Sequence, residues 1–172
     1  MLKKSGSAKK CLPILIVLLF NLAIYSCKKE EASLLTPIET AMDSFVATLV
    51  KTPPTAADLS DRIKNYLMAQ PKTFYGSTVS MLDKNGKVAL SPYWYRSNNA
   101  LVFLELTIDT TYRINTLEWL RTPIDGGKAI WTAPFFDAGG GNIWMRTRAV
   151  PVYVNGKIIA VATTDIEIAK PN

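Results

Sequence analysis

Residues 157–168, KIIAVATTDIEI, alternate with the period of a β-strand, yet both faces of that strand carry apolar side chains. Even positions give Ile158, Ala160, Ala162, Thr164, Ile166 and Ile168; odd positions give Ile159, Val161, Thr163, Asp165 and Glu167. A strand apolar on both sides is covered on both sides, whereas a half-exposed strand alternates apolar with polar. The chain must therefore build a sheet with a layer on each face. The small alanines of the even face admit a helix at close range. The odd face places Asp165 near the strand end, where a carboxylate is costly if buried without a partner. One face is expected to pack on a helix and the other to border a cavity.

The helix comes from upstream. Thr36-Pro37-Ile38-Glu39 reads as a helix start, with Thr36 as cap, Pro37 at the first helical position and Glu39 three residues after the cap. Ile38, Met42, Phe45 and Leu49 continue it as one apolar stripe, which Pro53-Pro54 stops. A second start at Thr55-Ala56-Ala57-Asp58 leads into Leu59, Ile63, Tyr66 and Leu67 and ends before Pro71. From Phe74 the period becomes two. Ser77–Leu82 and Lys87–Leu90, joined by Asp83-Lys84-Asn85-Gly86, predict a hairpin. Ser91–Ile108 reads as an aromatic loop that turns apolar, and Thr111–Leu120 as a short helix. Ala129–Phe136, Ile143–Tyr153 and Lys157–Ile168 read as three further strands. The last two are joined at Val154-Asn155-Gly156.

The start of the chain is expected to lie outside this fold. Lys3, Lys4, Lys9 and Lys10 precede an apolar run, Leu12–Ile24, which is shorter than the roughly 20 residues a membrane-spanning helix needs. Residues 1–26 therefore read as a signal peptide. Ile24-Tyr25-Ser26-Cys27 resembles a bacterial lipobox, which implies lipidation of Cys27, a tether over 27–33 and an outer-membrane, cell-surface or periplasmic location. Two or more buried acyl chains at about 0.8 kcal/mol per methylene make a stable anchor. Cys11 falls inside the signal, so Cys27 would be the only cysteine left and no internal disulfide could form. Structural zinc and catalytic cysteine chemistry are excluded with it.

The net charge of +6 says little about partners, because four of the 20 Lys+Arg and none of the 14 Asp+Glu precede Cys27. The remainder holds 16 basic against 14 acidic residues, which gives no basic stripe for nucleic acid. The chain has no histidine, so Ser-His-Asp chemistry and the commonest metal ligand are absent. No metal site or cofactor is expected. Asp137 and Asp165 could in principle form a glycosidase-like carboxylate pair, but no nucleophile elbow or recognisable substrate cleft accompanies them. The chain reads as a non-enzyme.

The order of helix, hairpin, short helix and three strands, with the fragments LSPY (90–93), EWLR (118–121), WTAPFFD (131–137), TRAVPVY (147–153) and GKIIAVATTDI (156–166), resembles an extracellular Cache domain. Cache domains are the PAS-like sensor modules of bacterial chemoreceptors and histidine kinases. The resemblance covers residues 34–168 as a single domain and leaves 169–172 as a tail. It implies an α+β fold in which a long N-terminal helix backs a five-stranded antiparallel sheet. Ligand would sit between the sheet and a loop-plus-helix segment at about Ser91–Lys128.

By the same resemblance, Tyr112, Trp119, Asp137 and Asp165 match residues that amino-acid-binding members use. Leu117 stands where those members have an arginine, Leu120 where they have a second tyrosine, and Phe135 where they have a later one. Losing that arginine removes the bidentate partner of a ligand carboxylate, while both ammonium-holding carboxylates stay. Arg113, Arg121, Arg146 and Arg148 are the candidate substitutes for it. The expected ligand is therefore amine-bearing, cationic or largely apolar, in preference to an α-amino acid. Phe135 shares strand parity with Asp137, so both should line the pocket together. Tyr93 and Tyr95, from the cluster with Trp94, join them as candidates.

Each residue also has a plainer reading. Asp137 precedes three glycines and could simply form a turn. Asp165 could pair with Arg146 or Arg148. Trp119 could be core, and Trp131 is expected to be. The expected function is a lipid-anchored, small-molecule-binding sensor without an output domain, acting through a separate membrane receptor or kinase. Its rival is a structural or interaction lipoprotein with a vestigial pocket.

Overall fold

A computed structural model describes residues 35–171. The segments expected to form a signal peptide and a tether, with Cys27, lie outside the described residues. Contacts divide the chain into Met1–Pro37 and Ile38–Asn172, and the whole sheet with its two covering layers belongs to the second unit.

Helix α1 runs over residues 35–51. Ile38, Met42, Phe45 and Leu49 are all buried, as their four-three-four spacing predicts. Helix α2, Leu59–Met68, buries Leu59, Ile63, Tyr66 and Leu67. Ahead of it, the Asp58 carboxylate accepts from the backbone N–H and hydroxyl of Thr55 and pairs with Arg62. The end of α2 is fixed by Arg96, whose guanidinium donates to the carbonyls of Leu67 and Gln70. The two helices meet through Phe45 and Tyr66, stacked with ring centroids 4.2 Å apart.

The fold is α+β with an antiparallel sheet of eight strands. These are β1 (Gly76–Leu82), β2 (Val88–Leu90), β3 (Pro92–Ser97), β4 (Ala100–Glu105), β5 (Ile130–Trp131), β6 (Phe135–Phe136), β7 (Trp144–Val154) and β8 (Lys157–Glu167). The order is β4-β3-β1-β8-β7-β5, with β2 also on β1 and β6 also on β7. The strand that is apolar on both faces, β8, lies in the interior between β1 and β7. Asn155 and Gly156, at φ 51° and 75°, close the β7–β8 hairpin in the left-handed region that this tight turn needs.

The expected count of five strands is corrected to eight, for two local reasons. At Thr132 the side-chain hydroxyl accepts the Thr147 N–H in place of a ladder carbonyl, and Pro134 has no N–H to give. The single strand expected over 129–136 is thereby divided into β5 and β6. The other two strands lie in the segment read as loop: within 91–108 the chain forms the β3–β4 hairpin, turned at Asn98-Asn99 with φ 47° and 63°. Two asparagines in the left-handed region supply the turn that a search for Asn-Gly passes over.

The segment expected as one helix over 111–120 is also corrected. Two short 3-10 turns, Thr110–Tyr112 and Ile114–Thr116, precede helix α3, Glu118–Gly126. Arg113 at φ 50° breaks the continuity between the turns. The layer over the second face of the sheet therefore spans 106–126 and does not begin at Ser91.

The two faces of β8 divide as its sequence predicts. On the even face, Thr164 meets the Tyr66 hydroxyl at 2.9 Å and the Met42 sulfur at 2.9 Å. On the odd face, Val161 packs with Trp119, Leu120, Ile114, Tyr112 and Leu106.

Candidate functional site

The ends of β1, β3, β7 and β8 converge beneath the 3-10 turns and α3. They border a partly open space of about 10 Å³. A volume of this size holds about one water. Its walls include Asp165, Asp137, Tyr93, Tyr112, Trp119 and Phe135, six of the seven side chains proposed from sequence. Tyr95 stands behind them, stacked on Tyr93 with centroids 5.5 Å apart. Thr78, Leu106, Met145, Thr147 and Thr163 complete the lining. Thr163 was available from strand parity with Asp165. The other four come from different elements, and no local pattern marks them.

Asp165 is 4% exposed. Its Oδ1 accepts from the Thr147 hydroxyl at 2.7 Å, directly across the β7–β8 ladder. Burial pushes its pKa up to about 7; the Thr147 hydrogen bond and Tyr93 lower it, and the neighbouring Asp137 raises it. The Tyr93 hydroxyl is buried and makes no hydrogen bond of ordinary geometry among the described residues, although it lies close enough to Asp165 for each to shift the other's pKa. Burial, followed by the two aspartates, keeps that phenol well above its ordinary range.

Asp137 is 7% exposed and held from both sides. The Tyr112 hydroxyl donates to its Oδ1 at 2.8 Å, and the Gly141 N–H to its Oδ2 at 3.0 Å. Burial raises its pKa, and these two bonds oppose the rise. The plain turn role and the pocket position coexist: the Asn142 N–H closes the loop onto the Asp137 carbonyl at 2.9 Å while the carboxylate lines the cavity. A Cβ on Gly140 would lie 1.9 Å from Asp137 Oδ2, so the loop can wrap this carboxylate only with glycine there.

Among the described residues, no lysine or arginine lines the cavity. Arg146 and Arg148 pair across the ladder with Ile166 and Thr164, on the helix face. Arg148 reaches Glu39 of α1 at 3.5 Å, and Arg146 lies over the Trp131 ring at 5.5 Å. Neither can pair with Asp165 or meet a ligand carboxylate in this cavity. Arg121 pairs with Asp125, and Arg113 is exposed. Leu120 is fully buried in the apolar cluster beside the cavity, and Leu117 packs against it. Trp94 faces the opposite side, with its indole N–H on Ser60 at 3.1 Å. Trp131 likewise faces α1, donating to Glu39 at 2.9 Å.

The sequence matches the family described as methyl-accepting chemotaxis protein-like, first PDC sensor domain, over residues 59–170. The chain belongs to this family. Solved structures agree. The extracellular domain assigned to a histidine kinase, soHK1S-Z6, aligns with TM-score 0.74 and 26% identity over 91% of this chain and 62% of its own. The periplasmic sensory domain of the Campylobacter jejuni chemoreceptor Tlp1 aligns with TM-score 0.63 and 10% identity, over 81% of this chain and 56% of its own. The ligand-binding domain of the Pseudomonas aeruginosa PAO1 amino-acid chemoreceptor PctC, in complex with GABA, aligns with TM-score 0.54 and 18% identity, over 78% and 57%. The chain spans about three fifths of the length of these domains. No curated protein sequence matches it significantly. The PDC family is a sensor-domain family of chemoreceptors and not an enzyme family. Among the described residues of this PDC domain, no helix is long and apolar enough to cross a membrane.

Proposed function

We propose that this PDC domain binds a small extracytoplasmic molecule carrying an amine, with Asp165 and Asp137 receiving the ammonium. The supporting observation is the pair of buried carboxylates facing one cavity that no cationic side chain enters. Two buried acids without a counter-ion are destabilising, and a cationic ligand removes that cost. Tyr112, Trp119, Phe135 and Tyr93 would form the walls, with Tyr95 behind them. The neighbours solved with GABA, with asparagine (Mlp24) and with L-valine (Tlp3) hold ligands that combine an amine with a carboxylate. Here Leu117 and Leu120 sit beside the cavity and no arginine does. This favours a monoamine or an amine with an apolar tail over an α-amino acid. On this reading Cys27 is lipidated, the domain lies outside the cytoplasm, and it passes its occupancy to a separate membrane receptor or kinase.

The small cavity supports a second reading, in which the domain keeps the fold with a filled, vestigial pocket. Thermal-shift measurements against amines, amino acids, organic acids and purines separate the two. A true ligand at 100 times Kd adds about 2.7 kcal/mol, and Asp165→Ala abolishes the shift. No stabilisation by any class, with an unchanged profile for Asp165→Ala, favours the vestigial pocket.

A further inference from the structure

The cavity is narrow, and its surroundings differ from side to side. Under α3 it is backed by Trp119, Leu120, Ile114 and Leu106, packed side chain on side chain. On the side of Gly141, Met145 and Tyr75 lie close together. A Cβ placed on Gly141 would lie 2.8 Å from the Tyr75 ring and 2.9 Å from the Met145 methyl. Met145 lines the cavity. Tyr75 lines a separate open crevice of about 260 Å³ with Lys72, Asn98, Asn99 and Glu167. The Tyr75 ring also lies 5.8 Å from Tyr95, which stacks on cavity-lining Tyr93.

One side-chain hydrogen bond ties Tyr75 to the glycine loop. The Tyr75 hydroxyl donates to the Gly141 carbonyl at 3.0 Å, and the N–H of that same Gly141 donates to Asp137 Oδ2. The glycine loop is therefore pinned outside by a tyrosine and inside by the carboxylate proposed to receive the ligand. An ammonium arriving at Asp137 competes with the inner pin. Swinging the Tyr75 ring breaks the outer one.

We infer that Tyr75 is the gate of this site: ligand passes from the Lys72–Asn99–Glu167 crevice into the Asp137/Asp165 cavity when Tyr75 releases Gly141. The gate rests on the pocket reading above for its purpose, but its opening is measurable without any ligand. Burial, with Tyr95, Glu167, Asp165 and Asp137 nearby, pushes the Tyr75 phenol up to about 12, so it remains a donor at neutral pH.

Carboxyl footprinting with a water-soluble carbodiimide and glycine ethyl ester, read by mass spectrometry, tests access directly, with exposed Asp43 on α1 as internal standard. Tyr75→Ala should raise labelling of Asp137 and Asp165 at least about fivefold over wild type, the effect of losing one hydrogen bond from the closed state. Ile124→Ala, which loosens α3, should not. Labelling unchanged in Tyr75→Ala, or raised only in Ile124→Ala, overturns the gate. Tyr75→Phe keeps the ring and loses only the donor. Its Gly141 amide should exchange with deuterium about fivefold faster, and unchanged exchange also overturns the gate. A thermal shift of the wild type with n-propylammonium chloride reads the pocket separately. Increased labelling in Tyr75→Ala without stabilisation by this amine leaves the gate standing and counts against the amine.

Discussion

The two faces of β8 are built from the same strand and by opposite rules. On the helix face, Ile38, Met42, Leu49, Ile63 and Leu67 are almost completely buried, Thr164 finds a partner in Tyr66, and the unpartnered Arg148 Nε belongs to a side chain that still reaches Glu39. On the other face, two carboxylates and an unpartnered tyrosine hydroxyl are buried around a cavity that one water would fill. The first arrangement stabilises the fold. The second costs stability, and buried polar groups left short of partners concentrate where a protein acts.

The largest effect belongs to the helix face. Leu67→Ala should cost about 2–5 kcal/mol in denaturant unfolding through lost burial and a residual cavity. A smaller loss would mean that the helices contribute less to stability than their packing indicates.

Asp165→Asn should do the reverse at pH 8, stabilising by roughly 3 kcal/mol. The wild-type acid has a folded pKa near 7, above its unfolded value, so the folded state binds the extra proton between about pH 4 and 7. Stability of the wild type therefore falls as pH rises through that window and levels off above it. Asp137 shifts in the same direction and adds to the fall. Urea titrations at pH 5, 6, 7 and 8 should show a flatter profile for Asp165→Asn. Parallel profiles would show that Asp165 does not carry the pH dependence.

Gly140→Ala sharpens the comparison within the pocket face. Its methyl would fall on the Asp137 carboxylate, so the loop must shift, at a cost of about 1–3 kcal/mol. The matching Gly126→Ala, with open space around its Cβ, should cost less. The smallest effect is expected at Glu39→Gln. Its partly exposed pair with Arg148 contributes less than about 1 kcal/mol by double-mutant cycle, and its bond to the Trp131 indole survives the substitution.

Helix α1, helix α2 and strands β7 and β8 were legible in the sequence because their periodicities are long and their turn residues are characteristic. The Asp-Ala-Gly-Gly-Gly stretch at 137–141 was legible as loop and pocket rim at once. The β3–β4 hairpin was not, because Tyr93-Trp94-Tyr95 is apolar throughout. Only the positions of α2 and the cavity show that Trp94 faces one way and its two neighbours the other. The helix over 111–120 was misplaced because a single left-handed residue, Arg113, splits a segment whose composition favours continuation.

The sequence by itself determined that β8 is covered on both faces, that an acidic side chain stands on one of them, and that no histidine or basic stripe serves it. Those conclusions follow from period and composition, which are local. Tertiary structure alone decided that Asp137 lies beside Asp165, that Arg146 and Arg148 are turned to the helix side, and that Thr147 and Tyr93 sit against the same carboxylate. It also decided that Tyr75, 66 residues from Gly141 in the chain, hydrogen-bonds to its carbonyl. Such contacts depend on strand register and on which elements meet. Register is fixed by packing over the whole sheet and is not recorded in any short stretch of the chain.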